Sequence, residues 1–309
     1  MQRSLKSIYT LAGMVLAIFF MAGTCLAQVA RNSPSGPDNS ARSSGPGAPA
    51  DFAASSEKTV GSTPQWKMGI ALYSFNKHPF TAALDKVDSA GVKYVEGFSF
   101  YMLGKEFGDS TLGALSPDGI ARMKKMLQDK GLSMESIYVD TRGVEGWKKY
   151  FNLAKALGAH YLTCEPSKDQ WDLVDSLAGV YGIRIAIHEH SREQSAYWHP
   201  DSVLAAMKGH PNIGACADLG HWARSGLDPV QCLQKLKGHI LGIHLKDIDS
   251  LNNPNAADVT VGTGVINYPA VVKELKSQGF KGMIYMECEH KMDNNLPDVI
   301  QSLKYFNGL

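Results

Sequence analysis

Cysteine is scarce in this sequence. There are 5 in 309 residues, at positions 25, 164, 216, 232 and 288, and no spacing among them fits a zinc finger. An excess of one charge is missing too: 31 Lys and Arg stand against 30 Asp and Glu, for a net charge of +1. Without clustered positive charge, neither nucleic acid nor an anionic membrane surface is favoured as a partner. The apolar run from Leu11 to Gly23 is too short to cross a bilayer comfortably, which takes about 20 residues, so no membrane span is expected. No Gly-rich phosphate-cradling loop is evident, which argues against a phosphorylated substrate.

What is present begins with two N-terminal segments of different character. Arg3 and Lys6 precede the apolar run, and Cys25-Leu26-Ala27 offers a small-residue cleavage site before Gln28. Residues 1–27 therefore read as a secretory signal peptide, and the protein as exported to a periplasm or secreted. Lipidation at Cys25 is less favoured, because Thr24 is bulkier than the residue usual before a lipid-bearing cysteine. Of the 37 residues 28–64, 23 are Ser, Gly, Pro or Ala. Such a stretch buries too little apolar surface to offset its ordering entropy, so it reads as a flexible linker. The four later cysteines read as small core residues.

Residues 65–309 repeat one unit: an amphipathic helical stretch, a glycine, then a short apolar strand. The junctions include Ala90-Gly91-Val92, Leu157-Gly158-Ala159 and Gln278-Gly279-Phe280. The predicted strands are Met68–Phe75, Lys93–Phe98, Leu132–Val139, His160–Glu165, Ile183–His188, Ile213–Asp218, Ile240–Lys246 and Gly282–Glu287. Ser116-Pro117 and Asp228-Pro229 mark helix starts, with a capping side chain before proline at the first helical position. Eight strictly alternating β and α elements predict an α/β fold with a parallel sheet, closed into a single (β/α)8 TIM barrel.

Active sites of such barrels sit at the C-terminal ends of the strands. There the sequence places Glu96, Glu165, His188-Glu189-His190, Asp218 with His221, His244 with Lys246 and Asp247, and Glu287 with Glu289. Buried carboxylates and imidazoles are costly unless paired or ligated, so this gathering points to a metal centre. For Glu96 alone the plainer reading, a solvated or salt-bridged strand-end carboxylate, is preferred. Glu189 falls on the opposite face if His188 points inward, and reads as structural. A mixed imidazole and carboxylate set suits one divalent ion: Mn, Mg, Co or Zn.

Asp218-Leu219-Gly220-His221, His244 placed 26 residues after Asp218, and Glu287 at the last strand end together resemble the xylose-isomerase-like superfamily, also called the AP-endonuclease-2-type barrels. The resemblance runs from about Trp66 to the C-terminus and extends to exported sugar phosphate isomerase/epimerase-like proteins. It implies one metal held by a Glu, Asp, His, Glu set. Asp218, His244 and Glu287 fill the last three roles, and His221 matches a substrate-contacting histidine. The first role departs from the pattern: His188 stands where those relatives carry Glu, and Glu189 is one residue out of phase. Either His188 completes the metal set or Glu165 supplies the missing carboxylate.

The resemblance implies a sugar isomerase or epimerase that forms an enediolate at a keto-sugar. A lyase that eliminates across 3-keto-glycosides shares its first step. In this reading His188, Asp218, His244 and Glu287 hold the metal. Glu165, Glu287 and Lys246 are catalytic, with Glu165 as base, and His190, His221 and Lys246 contact the substrate. The partner is a small-molecule carbohydrate, and a homo-oligomer is compatible with the sequence. A DNA-repair nuclease of this barrel type needs more ligands and a basic groove. A non-catalytic sugar-binding protein is the remaining rival.

Overall fold

The computed structural model describes residues 66–309; the signal-peptide and linker readings lie outside the described residues. Eight strands close into a parallel barrel: β1 (Lys67–Ala71), β2 (Tyr94–Phe98), β3 (Ser133–Tyr138), β4 (Tyr161–Cys164), β5 (Arg184–His188), β6 (Ile213–Asp218), β7 (Ile240–Leu245) and β10 (Met283–Met286). Around the ring the order is β1-β10-β7-β6-β5-β4-β3-β2, so every neighbour is a sequence neighbour once the ring closes. Two short strands, β8 (Asp247–Ile248) and β9 (Asp258–Val259), pair antiparallel in the loop after β7. The barrel predicted from the repeat is the one observed. Among the described residues no helix is long and apolar enough to cross a membrane.

Helices connect successive barrel strands: α1 (Phe80–Ser89), α2 (Pro117–Asp129), α3 (Gly143–Leu157), α4 (Trp171–Tyr181), α5 (Pro200–Met207), α6 (Leu219–Arg224) with α7 (Pro229–Lys235), and α8 (Tyr268–Gln278). The last, α9 (Leu296–Asn307), follows β10. Both predicted cap-proline starts occur: Ser116 Oγ accepts from Gly119 N at 3.2 Å, and Asp228 Oδ1 from Val230 N at 2.8 Å. Gly158 closes α3 at φ +84°, a conformation that side chains with a Cβ rarely adopt. The apolar helix faces pack on the outside of the barrel, where Phe80, Trp147, Phe151, Trp222 and Leu275 are buried.

The first strand is shorter than predicted. Leu72–Phe75 turns away as a single 3-10 turn, with Asn76 N donating to Tyr73 O and Tyr101 OH donating to the carbonyls of Phe75 and His78. Glu165, Lys246 and Glu287 each lie one residue beyond the strand expected to contain them. The four cysteines at 164, 216, 232 and 288 are buried and unpaired.

Alternation along the strands sends every second side chain into the barrel. The interior is partly polar. Gly242 on β7 leaves the room that Tyr161 needs, since a Cβ there would lie 2.5 Å from the tyrosine hydroxyl. Register then sets the rim: Asp218 of β6 pairs with His244 of β7, and His244 with Tyr285 of β10.

Candidate metal centre and active site

Four side chains from four consecutive strand ends meet at the mouth. His188, Asp218, His244 and Glu287 each offer one ligand atom, and these atoms lie within 4.8 Å of one another. His244 Nδ1 stands 3.1 Å from Glu287 Oε2 and 3.1 Å from His188 Nε2, and Asp218 Oδ2 lies 3.7 Å from His244 Nδ1. All four residues are buried. The structure thus brings together the whole predicted metal set.

Asp218 divides its carboxylate between two tasks. As the N-cap of α6, its Oδ1 accepts from His221 N at 2.8 Å. Its Oδ2 is buried without a hydrogen-bond partner and faces the cluster. The Lys246 ammonium lies 3.3 Å from it, and the imidazoles of His188 and His244 lie 3.6 and 3.7 Å away. The converging donors are imidazole nitrogens and carboxylate oxygens, a set that suits a borderline divalent ion. The residues present therefore fit the metal.

Beneath the cluster lies Glu96, fully buried. Its Oε2 is 2.6 Å from His244 Nε2, while its Oε1 accepts from Thr163 Oγ1 at 2.6 Å and lies 2.9 Å from Ser136 Oγ. Against a carboxylate the Nε2 of His244 must be the donor, so in the neutral imidazole the lone pair sits on Nδ1, toward the cluster. A carboxylate behind a metal-binding histidine fixes tautomer and ring orientation in this way. The solvated reading of Glu96 is thus corrected. Tyr94, Glu96 and Phe98 alternate, so the inward phase of the strand was the signal that could have found it.

Two flanks of the cluster differ in chemistry. On the β4–β5 side Glu165 hydrogen-bonds His190 Nδ1, accepts from Ser195 Oγ, and lies 3.3 Å from Tyr138 OH and 3.7 Å from His188 Nδ1. Burial would raise the Glu165 carboxyl pKa, but the adjacent imidazoles of His188 and His190 hold it well below the usual range. On the β7–β10 side the fully buried Lys246 ammonium reaches Asp218 Oδ2 at 3.3 Å, Glu287 Oε2 at 3.0 Å, and Glu289 Oε1. Burial opposes its charge, yet Asp218, Glu287 and Glu289 outweigh burial and raise its pKa. His221 places Nδ1 3.0 Å from Ser191 Oγ. Burial, with the nearby charge of Lys246, keeps its imidazole neutral despite Asp218.

Glu165, His188, His190, His221, His244, Lys246 and Glu287 all border one cavity of about 580 Å³. Asp218 and Glu189 are not among its lining residues. Glu189 is buried against α6, its carboxyl without a partner. Burial, with Asp218 and Glu165, raises its pKa well above the normal carboxylate range. Asp247, named with the rim residues, instead serves the loop: its carboxylate accepts from the backbone N–H groups of Ile248, Gly262, Gly264 and Ile266. The aromatic residues of the wall, Tyr73, Phe98, Phe100 and Tyr138, were not singled out in the sequence.

The profile of the xylose isomerase-like TIM barrels matches residues 84–308. The chain belongs to this family. A solved protein of unknown role from Parabacteroides distasonis shares 35% identity with this xylose isomerase-like chain, covering 78% of it and 98% of that protein, at a TM-score of 0.63. The inosose dehydratase of Bacillus cereus is 23% identical over 232 residues, 59% of this chain and 78% of the dehydratase. Matches to the inosose dehydratases of Mesomycoplasma hyopneumoniae and Clostridium botulinum span about half of those proteins, 49% and 52%. The 3-keto-D-glucoside 4-epimerase of E. coli shares the fold at a TM-score of 0.63 and 11% identity, covering 79% of this chain and all of that one.

Proposed function

We propose that this xylose isomerase-like protein is a metal-dependent enzyme that forms an enediolate at a keto-sugar and releases an isomer or epimer. The observation that carries the reading is the convergence of His188 Nε2, Asp218 Oδ2, His244 Nδ1 and Glu287 Oε2 in a buried cluster at the floor of a sugar-sized cavity. The ion these residues would hold supplies positive charge beside the substrate's carbonyl and neighbouring hydroxyl oxygens.

The chain's own groups do the proton chemistry. Glu165, ionised and held by His190, removes the proton α to the carbonyl. Lys246 presents an ammonium on the opposite flank, steadied by Glu289, where negative charge grows or a proton must be returned. Glu287 lies between Lys246 and His244 and takes part from the metal set. His221 and His190 contact the substrate's hydroxyls. Reprotonation on the other face gives an epimer; transfer of the proton to the adjacent carbon gives an isomer.

Elimination is the second reading. The opposition of an anionic Glu165 and a cationic Lys246 favours it, because loss of a β-leaving group needs a base on one side and a proton donor on the other. The similarity to inosose dehydratases agrees with it. The test is incubation of the metal-loaded protein in D₂O with free ketoses and with 3-keto-glycosides. Solvent deuterium at the carbon α to the carbonyl is expected. Elimination consumes the α-proton and is read instead by release of the leaving group. A ketose isomerised without exchange at any carbon, together with no leaving group released from any 3-keto-glycoside, would point to hydride transfer and defeat both readings.

A further inference from the structure

The metal-facing residues account for only part of the cavity wall. The rest includes four aromatic side chains, Tyr73, Phe98, Phe100 and Tyr138. Their rings brace each other. Phe98 and Tyr138 stack with centroids 5.4 Å apart and planes 13° from parallel. Phe100 meets Tyr73, Phe98 and Tyr138 edge-on at 6.1, 5.7 and 6.1 Å. Tyr138 in turn stands edge-on to His188 at 5.4 Å. Phe100 is thus two ring contacts away from an imidazole of the metal cluster.

Phe98 is buried, but Phe100 is 47% exposed while lining the cavity. A ring held by three aromatic neighbours and open to a cavity offers an apolar face in a fixed place. Neither Phe98 nor Phe100 can hydrogen-bond a hydroxyl. What they can bind is a flat face of C–H or π character. The polar floor and this wall therefore suit different parts of one ligand.

We propose that Phe100, backed by Phe98 and Tyr138, forms a subsite for a second ring of the substrate. The enzyme would then take a glycoside, with one sugar ring at the metal cluster and a linked sugar or aryl ring on Phe100, in preference to a free monosaccharide. This rests on the keto-sugar reading above and narrows it. A glycosidic bond locks the anomeric carbon, so the carbonyl handled at the metal would be a ketone on the sugar ring.

The experiment is calorimetric titration of the Mn²⁺-loaded protein with three probes: the 3-keto forms of methyl glucoside, phenyl glucoside and cellobiose, each as the available anomers. The phenyl or cellobiose form should bind about three- to tenfold more tightly than the methyl form. In Phe100→Ala and Phe100→Leu that difference should shrink, with metal content as the check that the mouth is intact. A gain for phenyl alone identifies an aryl aglycone, and a gain for cellobiose alone a second sugar; both support the subsite. Equal binding of all three, or a difference that survives Phe100→Ala, overturns the subsite and leaves the keto-sugar reading standing. Binding of none of them, with the metal retained, overturns the reading and the subsite with it.

Discussion

His244 is bound from behind by Glu96: the imidazole Nε2 lies 2.6 Å from a carboxylate oxygen that is itself fully buried. This contact joins β7 to β2 across the barrel interior and points Nδ1 at Asp218, Glu287 and His188. The candidate metal centre is therefore built two layers deep.

Glu96→Gln should keep the fold and weaken metal binding by about 10- to 100-fold, the usual effect of losing an outer carboxylate behind a ligating histidine. Competition with a fluorescent chelator measures it. Unchanged affinity would mean that His244 is oriented by packing alone.

Asp218→Ala and His244→Ala should each abolish metal retention while the circular dichroism spectrum stays that of the barrel. Elemental analysis after dialysis reads the metal. Full occupancy in either variant removes that residue from the ligand set.

Glu165→Gln should retain the metal but lower the rate of α-proton exchange by about 10²- to 10⁴-fold, the range for loss of a positioned base. NMR in D₂O follows the exchange. A wild-type exchange rate in this variant would move the base to another residue.

The architecture was readable because its signals are local and repeated. Glycine-terminated helices followed by apolar strands predict the barrel, and strand ends carrying His188, Asp218, His244 and Glu287 predict its centre. Glu96 was misread because a lone carboxylate at a strand end looks the same whether it faces solvent or the barrel interior. The alternation of Tyr94, Glu96 and Phe98 puts the three on one face, and the hydrogen bonds from Ser136 and Thr163 show that this face is the interior. The aromatic wall was invisible for a related reason: Tyr73, Phe98, Phe100 and Tyr138 come from three separate strand ends and meet only in the closed ring. The first strand ran too long in the sequence because Leu72–Phe75 is as apolar as a strand, and its turn is held by the distant Tyr101.

Asp247→Ala should destabilise the protein by about 2–4 kcal/mol, since four backbone N–H groups lose a buried acceptor. Urea unfolding should show a lower midpoint, while metal content is kept. An unchanged midpoint would show that the loop carrying β8 and β9 is held by its other contacts.

We propose export with cleavage after Ala27, for which N-terminal sequencing of the mature protein should begin at Gln28. A chain that still begins at Met1, or one blocked at a lipid-bearing Cys25, contradicts the proposed cleavage.

The most direct test of the account is anomalous diffraction at a metal absorption edge from crystals soaked in Mn²⁺ or Zn²⁺. One peak is predicted, within about 2.0–2.3 Å of His188 Nε2, Asp218 Oδ2, His244 Nδ1 and Glu287 Oε2. A peak elsewhere, or no peak in protein that binds these ions in solution, would contradict it.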